Sequence, residues 1–187
     1  MLAGSTAVWY LMRSTGLVSL LLLTAVMALG IATAGRWSPR GMPRFVTAAL
    51  HRSISLLAVV FVGVHVVTAV VDPYAAVGVV AVIVPFAGAG NPVWVGLGAV
   101  SLDLIAALIV SSLLRRHLGY RAWRAIHWVA YMSWPLAVVH GLGMGTDAAS
   151  LWFVALACIA SVSSVLAWRL SKRHHGKRFE PQVLGTG

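Results

Sequence analysis

Residues 51–65 read HRSISLLAVVFVGVH, and residues 127–140 read HWVAYMSWPLAVVH. Each stretch is apolar and closed at both ends by histidine, with thirteen residues between His51 and His65 and twelve between His127 and His140. At helical rise the two separations are ~21 Å and ~20 Å, most of the ~30 Å hydrocarbon core of a bilayer. Each stretch is thus predicted to be a membrane-crossing helix with one histidine near each face, and the depths match between the two. At 100° per residue, fourteen steps return His65 to within ~40° of the face of His51, whereas the thirteen steps from His127 to His140 miss by ~140°. The second helix therefore needs a twist or bend, and Pro135 lies where it can provide one.

Composition agrees with a lipid environment. Of 187 residues, 60% are hydrophobic and 10% charged, with a mean hydropathy of +0.90, outside the range of soluble domains. Five spans of ~20 apolar residues are predicted, at 6–34, 46–71, 92–114, 123–143 and 150–170. The shorter apolar stretch 77–86, bounded by Asp72-Pro73 and Asn91-Pro92, reads as an interfacial or re-entrant segment. The expected fold is an all-α integral membrane bundle over residues 1–170, with a basic tail at 171–187.

The formal charge of +10 belongs to short clusters between apolar runs, which excludes a continuous nucleic-acid-binding surface and leaves topology as its reading. Thirteen of the fourteen Lys and Arg residues fall in 35–52, 114–124 and 169–178, and Arg13 alone lies on the other side. The positive-inside rule then puts the N-terminus outside and the C-terminus in the cytoplasm. Trp9, Trp94 and Trp152 mark one set of span ends, and Trp37, Trp123 and Trp168 the other. The run Leu17–Leu29 before Ala32-Thr33-Ala34 imitates a secretion signal, but cleavage there would leave the following arginines outside, against the charge rule. Cys158 is the one cysteine, so neither an intrachain disulfide nor a Cys-x-x-Cys-His attachment of heme is available.

If the two histidine helices are neighbours, His51 opposes His127 and His65 opposes His140. Each pair can then ligate one porphyrin iron from both sides, giving two stacked, non-covalent b hemes. Membrane histidines also serve as proton relays and as hydrogen-bonded polar core groups. Those roles stay open on spacing alone. His117, His174 and His175 sit in basic segments and read as solvated or headgroup-facing.

Leu50-His51…Val64-His65, followed by Ala125-Ile126-His127…Val139-His140-Gly141, resembles the ferric reductase-like transmembrane domain. That superfamily includes NADPH oxidases, ferric reductases and the heme-bearing membrane subunit of bacterial methionine sulfoxide reductase. The likeness extends over roughly 6–170 and includes WYLMRSTG at 9–16 and RAWR at 121–124. It implies two b hemes, with His51 and His127 on the inner iron and His65 and His140 on the outer. Single electrons would cross a bacterial plasma membrane from a quinol or flavoprotein donor. The acceptor at the outer face would be a flavin or molybdenum protein, a ferric chelate or a similar oxidant. Oxidases of the superfamily carry a further histidine one turn beyond the outer ligand, where this chain has Ala69, so superoxide production is not implied. No Gly-rich nucleotide fingerprint occurs, and flavin and NAD(P) are expected to be bound elsewhere.

Around the four histidines, Arg13 is a candidate for the outer heme's propionates, an assignment that the resemblance supports, or for an acceptor anion, with snorkelling to the headgroups the alternative. Arg44, Arg52 and Arg124 are candidates for the inner heme's propionates, with topology and anionic lipid the alternative. Asp103 is placed to pair with Arg13, to bond a ligating imidazole or to serve a structural role. Trp134 is placed to fill the space between the hemes or simply to pack. A membrane anchor that reduces a dedicated periplasmic enzyme is a second reading of the same chemistry. A non-heme, proton-coupled transporter is a reading from another class.

Overall fold

A computed structural model of the chain describes residues 2–35, 43–75, 77–87, 90–145 and 148–177. In chain order the elements are α1 (Leu2–Ala34), α2 (Arg44–Val71), α3 (Val79–Ile83), α4 (Pro92–Leu113), α5 (Arg115–Val129), a 3-10 turn (Ala130–Met132), α6 (Ser133–Met144) and α7 (Ala148–Lys177). The protein is an integral membrane helical bundle. Arg36, Arg40 and Arg178, counted above for topology, and residues 178–187 of the tail lie outside the described residues.

α1, α2, α4 and α7 are each long and apolar enough to cross a bilayer, in register with four of the five predicted spans. The remaining span, 123–143, is assembled from α5, the 3-10 turn and α6 and is not one continuous helix. Pro135 explains the break. It has no N–H for the carbonyl four residues earlier, that of Tyr131, and its ring crowds the same carbonyl. The helix gives way at Ala130–Met132, one turn before the proline, and restarts at Ser133. Across the restart, the Ser101 hydroxyl of α4 donates to the Ser133 carbonyl at 2.8 Å, so a neighbouring helix holds the bend in place.

Local sequence sets the other ends. Pro73 favours extended backbone at the preceding residue, and Asp72 ends α2 at φ −74°, ψ 116°. Its carboxylate Oδ1 then accepts from the Tyr74 amide at 2.9 Å. Pro92 opens α4 at a position where a missing N–H costs nothing. The apolar stretch 77–86 contains only the five-residue α3, and Phe86, at φ 67°, lays its ring against Gly96 of α4. α5 is interrupted at Gly119, whose φ of 71° and ψ of 161° lie where only glycine is comfortable.

α1 is the central element, packed mainly on α2 and also on α7 and α6, while α4 packs on α6, α5 and α3. The interior is made of small and hydroxyl-bearing residues such as Ala58, Ala99, Ala155, Thr15, Ser19 and Ser101. Large apolar residues cover the outside, Leu56 at 65% and Phe153 at 76% exposure among them. A bilayer calls for this arrangement, because lipid tails solvate leucine as well as a protein core does and small residues let backbones approach. Interior hydroxyls bond their own helix one turn back, as in Thr15 to Leu11 O (2.6 Å), Ser19 to Thr15 O (2.7 Å) and Thr24 to Leu20 O (2.8 Å).

Candidate functional site

α2 packs chiefly on α1, and α6 on α4 and α1, so the helices that carry His65 and His140 stand apart. Between them is a cavity of about 440 Å³ that both imidazoles line, together with Arg13, Gly16, Gly98 and Ser101. The two rings face each other with centroids 6.4 Å apart and planes 71° apart.

Each of these rings is fixed from behind. His65 Nδ1 donates to the Met12 carbonyl of α1 at 2.9 Å, and His140 Nδ1 donates to the Trp94 carbonyl of α4 at 2.7 Å. A carbonyl only accepts, so in both rings Nδ1 carries the proton and Nε2 keeps a bare lone pair. Both acceptors are followed four residues later by glycine, Gly16 after Met12 and Gly98 after Trp94. In a helix the carbonyl of residue i lies beside residue i+4, and a side chain there would cover it. A Cβ on Gly16 would stand 2.8 Å from His65 Cε1, and one on Gly98 would stand 2.7 Å from His140 Nδ1. The missing Cβ atoms open notches in which the imidazoles reach main-chain acceptors.

At the other end of the bundle, His51 of α2 repeats part of the arrangement. It lies over Gly30, 3.4 Å from where a Cβ would stand, with the main chain of Val26, again four residues before the glycine, nearby. Its Nδ1 is buried without a hydrogen-bond partner. His127 of α5 is near enough to His51 for their charges to interact. It has no notch, its Nδ1 is likewise buried and unpartnered, and its ring is bracketed by Trp123 at 5.0 Å and Tyr131 at 6.2 Å. The Tyr131 hydroxyl comes within 3.7 Å of the same Gly30 position. Trp134 lies between His127 and His140 along the chain, and its Nε1 donates to Thr24 Oγ1 of α1 at 2.9 Å.

Of the arginines singled out by sequence, Arg13 lines the cavity with His65 and His140, its guanidinium 4.7 Å from the Trp9 ring centre. Arg52 and Arg124 are exposed, Arg124 lying 6.0 Å from the Tyr120 ring centre, and the structure brings neither into that cavity. Asp103 is exposed on α4 and lies outside the cavity lining. Sequence reasoning missed the acceptors Met12 O and Trp94 O, the glycine notches, Tyr131 and the bond from Trp134 to Thr24. The spacing of glycine four residues after an ordinary residue was visible, but nothing in it named a histidine on another helix.

The family model described as ferric reductase like transmembrane component matches residues 15–138. The chain belongs to this family. Ferric reductase-like domains generally bind heme among their transmembrane helices, and membership points to electron transfer across a membrane by a multi-pass protein. The matched region includes His51, His65 and His127 and stops just short of His140. No curated protein and no solved structure matches the chain.

The donor set suits the group this ferric reductase-like family carries. Imidazole–metal bonds of about 2 Å on either side of one iron would hold the ring centroids ~6 Å apart, and His65 and His140 stand at 6.4 Å. Proton-bearing Nδ1 atoms on main-chain acceptors are the usual backing of metal-binding histidines.

Proposed function

We propose that the protein is a di-heme b-type cytochrome of the ferric reductase type that passes electrons from one face of the membrane to the other. The observation that carries this reading is the pairing of His65 and His140. They come from helices that pack chiefly on other elements, they face across a cavity, and both have Nδ1 engaged behind. His65 and His140 would hold one heme iron, and His51 and His127 the other. Heme bound between two histidines supplies reversible one-electron storage with no open iron position. The protein's part is to fix the tautomers of His65 and His140, exclude water with an apolar surround and supply cationic charge near the cavity. Arg13 is the residue we assign to the last role, facing either propionates or an anionic acceptor. Arg52 and Arg124 are assigned to the His51 end, where as exposed cations they also suit anionic headgroups.

By the charge rule the His51 end is cytoplasmic and the His65 end external, in a bacterial plasma membrane. The proposed donor is a quinol or a flavoprotein at the inner end. The proposed acceptor, a ferric chelate or a redox protein, meets the edge of the outer site. A proton-path transporter is the weaker reading, because Asp103 is exposed and does not line the cavity that such a path would use.

An oxidised-minus-reduced optical spectrum of purified protein tests the proposal. The expected result is a b-type spectrum with about two hemes per chain. Colourless protein from heme-replete cells would sink it. Reduction of the hemes by a quinol in the absence of any flavoprotein would identify the donor class.

A further inference from the structure

Asp103 is the twelfth of the 22 residues of α4, at mid-depth of a span, and is the only carboxylate that falls inside a candidate span. Acidic residues in membrane helices almost always face the bundle interior or a water-filled cavity and pair there. Asp103 does neither. It is exposed on the half of α4 that follows it, opposite the buried Ser101 and Ile105 and a turn below the buried Ala99 and Gly96 of its own face, outside the cavity lining, and it has no partner among the described residues. With it on one helical stripe, at spacings of three and four, are exposed Ala106, Ala107, Val110 and Leu113. Small residues beside one polar group are how membrane helices meet, since the backbones approach and the polar group gains a partner out of lipid. An inward-type residue on an outward face means that the bundle interior continues beyond this chain.

We infer that the Asp103 face of α4 docks a transmembrane helix of a partner protein bearing a lysine or arginine at mid-bilayer depth. Charge complementarity selects this occupant. A second copy joined symmetrically through the stripe would oppose Asp103 to Asp103. Nor do the described exposed faces of this chain hold a basic side chain at mid-span, because Arg13 is turned into the cavity and the other described cations lie toward helix ends. The inference is independent of the heme reading and adds a partner to it.

The test uses the full chain, labelled at its N-terminus, in phosphatidylcholine vesicles with end-labelled model helices of Leu and Ala. One helix carries a single central arginine and the reference carries leucine there, and association is read by energy transfer. The arginine helix is expected to bind about tenfold more tightly than the leucine helix. That advantage should persist in Asp103→Glu and vanish in Asp103→Leu. Ala107→Trp, which keeps the carboxylate and blocks the stripe, should weaken both helices. Circular dichroism confirms that each variant is folded. Equal binding of the two helices, or an arginine advantage that survives Asp103→Leu, overturns the inference. So does self-association of the chain that depends on Asp103, which would make a second copy the occupant.

Discussion

The two histidine pairs occupy equivalent depths but are held differently. At one end, His65 and His140 each have a glycine notch, a main-chain acceptor and a defined tautomer. At the other, His51 has the notch without a formed bond, and His127 has aromatic neighbours instead, both Nδ1 atoms being buried without partners. The first end is preorganised by secondary structure alone: α1 and α4 supply rigid carbonyls at fixed positions. The second depends on α5, a helix with no buried residue and an interruption at Gly119. A site with its ring orientations set in advance loses little entropy on taking up its ligand, whereas one with unsatisfied ring nitrogens leaves more of that ordering to the bound group.

The largest expected effect separates the ends outright. On the proposed reading, His140→Ala and His127→Ala each lower the heme-to-protein ratio from about two to about one, and the spectral component lost differs between the two variants. Loss of both components from either substitution would break the idea of two independent sites. Next come the notches. Gly98→Ala drives a Cβ into His140 and should cost about 3 kcal/mol, against under ~1 kcal/mol for Gly30→Ala, where contact is looser. Thermal unfolding in detergent, with heme retention followed in parallel, measures the contrast, and equal effects would erase the distinction between the ends. Gly119→Ala meets no neighbouring atom, so its penalty is purely one of backbone conformation. Roughly 2 kcal/mol is expected, with the His51 end perturbed and the His65 end spared. The smallest effect belongs to the seam between the ends: Trp134→Phe removes the hydrogen bond to Thr24 and should lower stability by about 1 kcal/mol. Absorption of the two heme components should stay unchanged, and a shift in either would give Trp134 more than a packing role.

Much of the bundle was legible because lipid imposes a simple code. Apolar length gave the four continuous spans, and Pro135 gave the bend that the thirteen-step spacing of His127 and His140 required. The displacement of that bend to Ala130–Met132 was not legible, since it depends on which carbonyl a missing N–H leaves idle and on Ser101 holding the restart. The histidine candidates were readable because both their spacings span about the same large part of a bilayer's hydrocarbon core. Their backing was not, because an acceptor carbonyl belongs to every residue alike, and only the packing of α1 on α2 and of α4 on α6 selects Met12 and Trp94. Arg13 could be proposed from its intramembrane position alone. Arg52 and Arg124 could not be separated from the many basic residues whose task is topology.

The 3-10 turn at Ala130–Met132 has an electrical side. A continuous helix carries its dipole charges only at its ends, in the headgroups, but a helix cut at mid-membrane brings two termini together inside. The C-terminal end of α5 contributes a partial negative charge and the N-terminal end of α6 a partial positive one, each up to about half a unit. They meet in the stretch of chain between His127 and His140. Adjacent and opposite across three residues of 3-10 turn, the two largely cancel, so the bend leaves a short local dipole between His127 and His140 and no net charge.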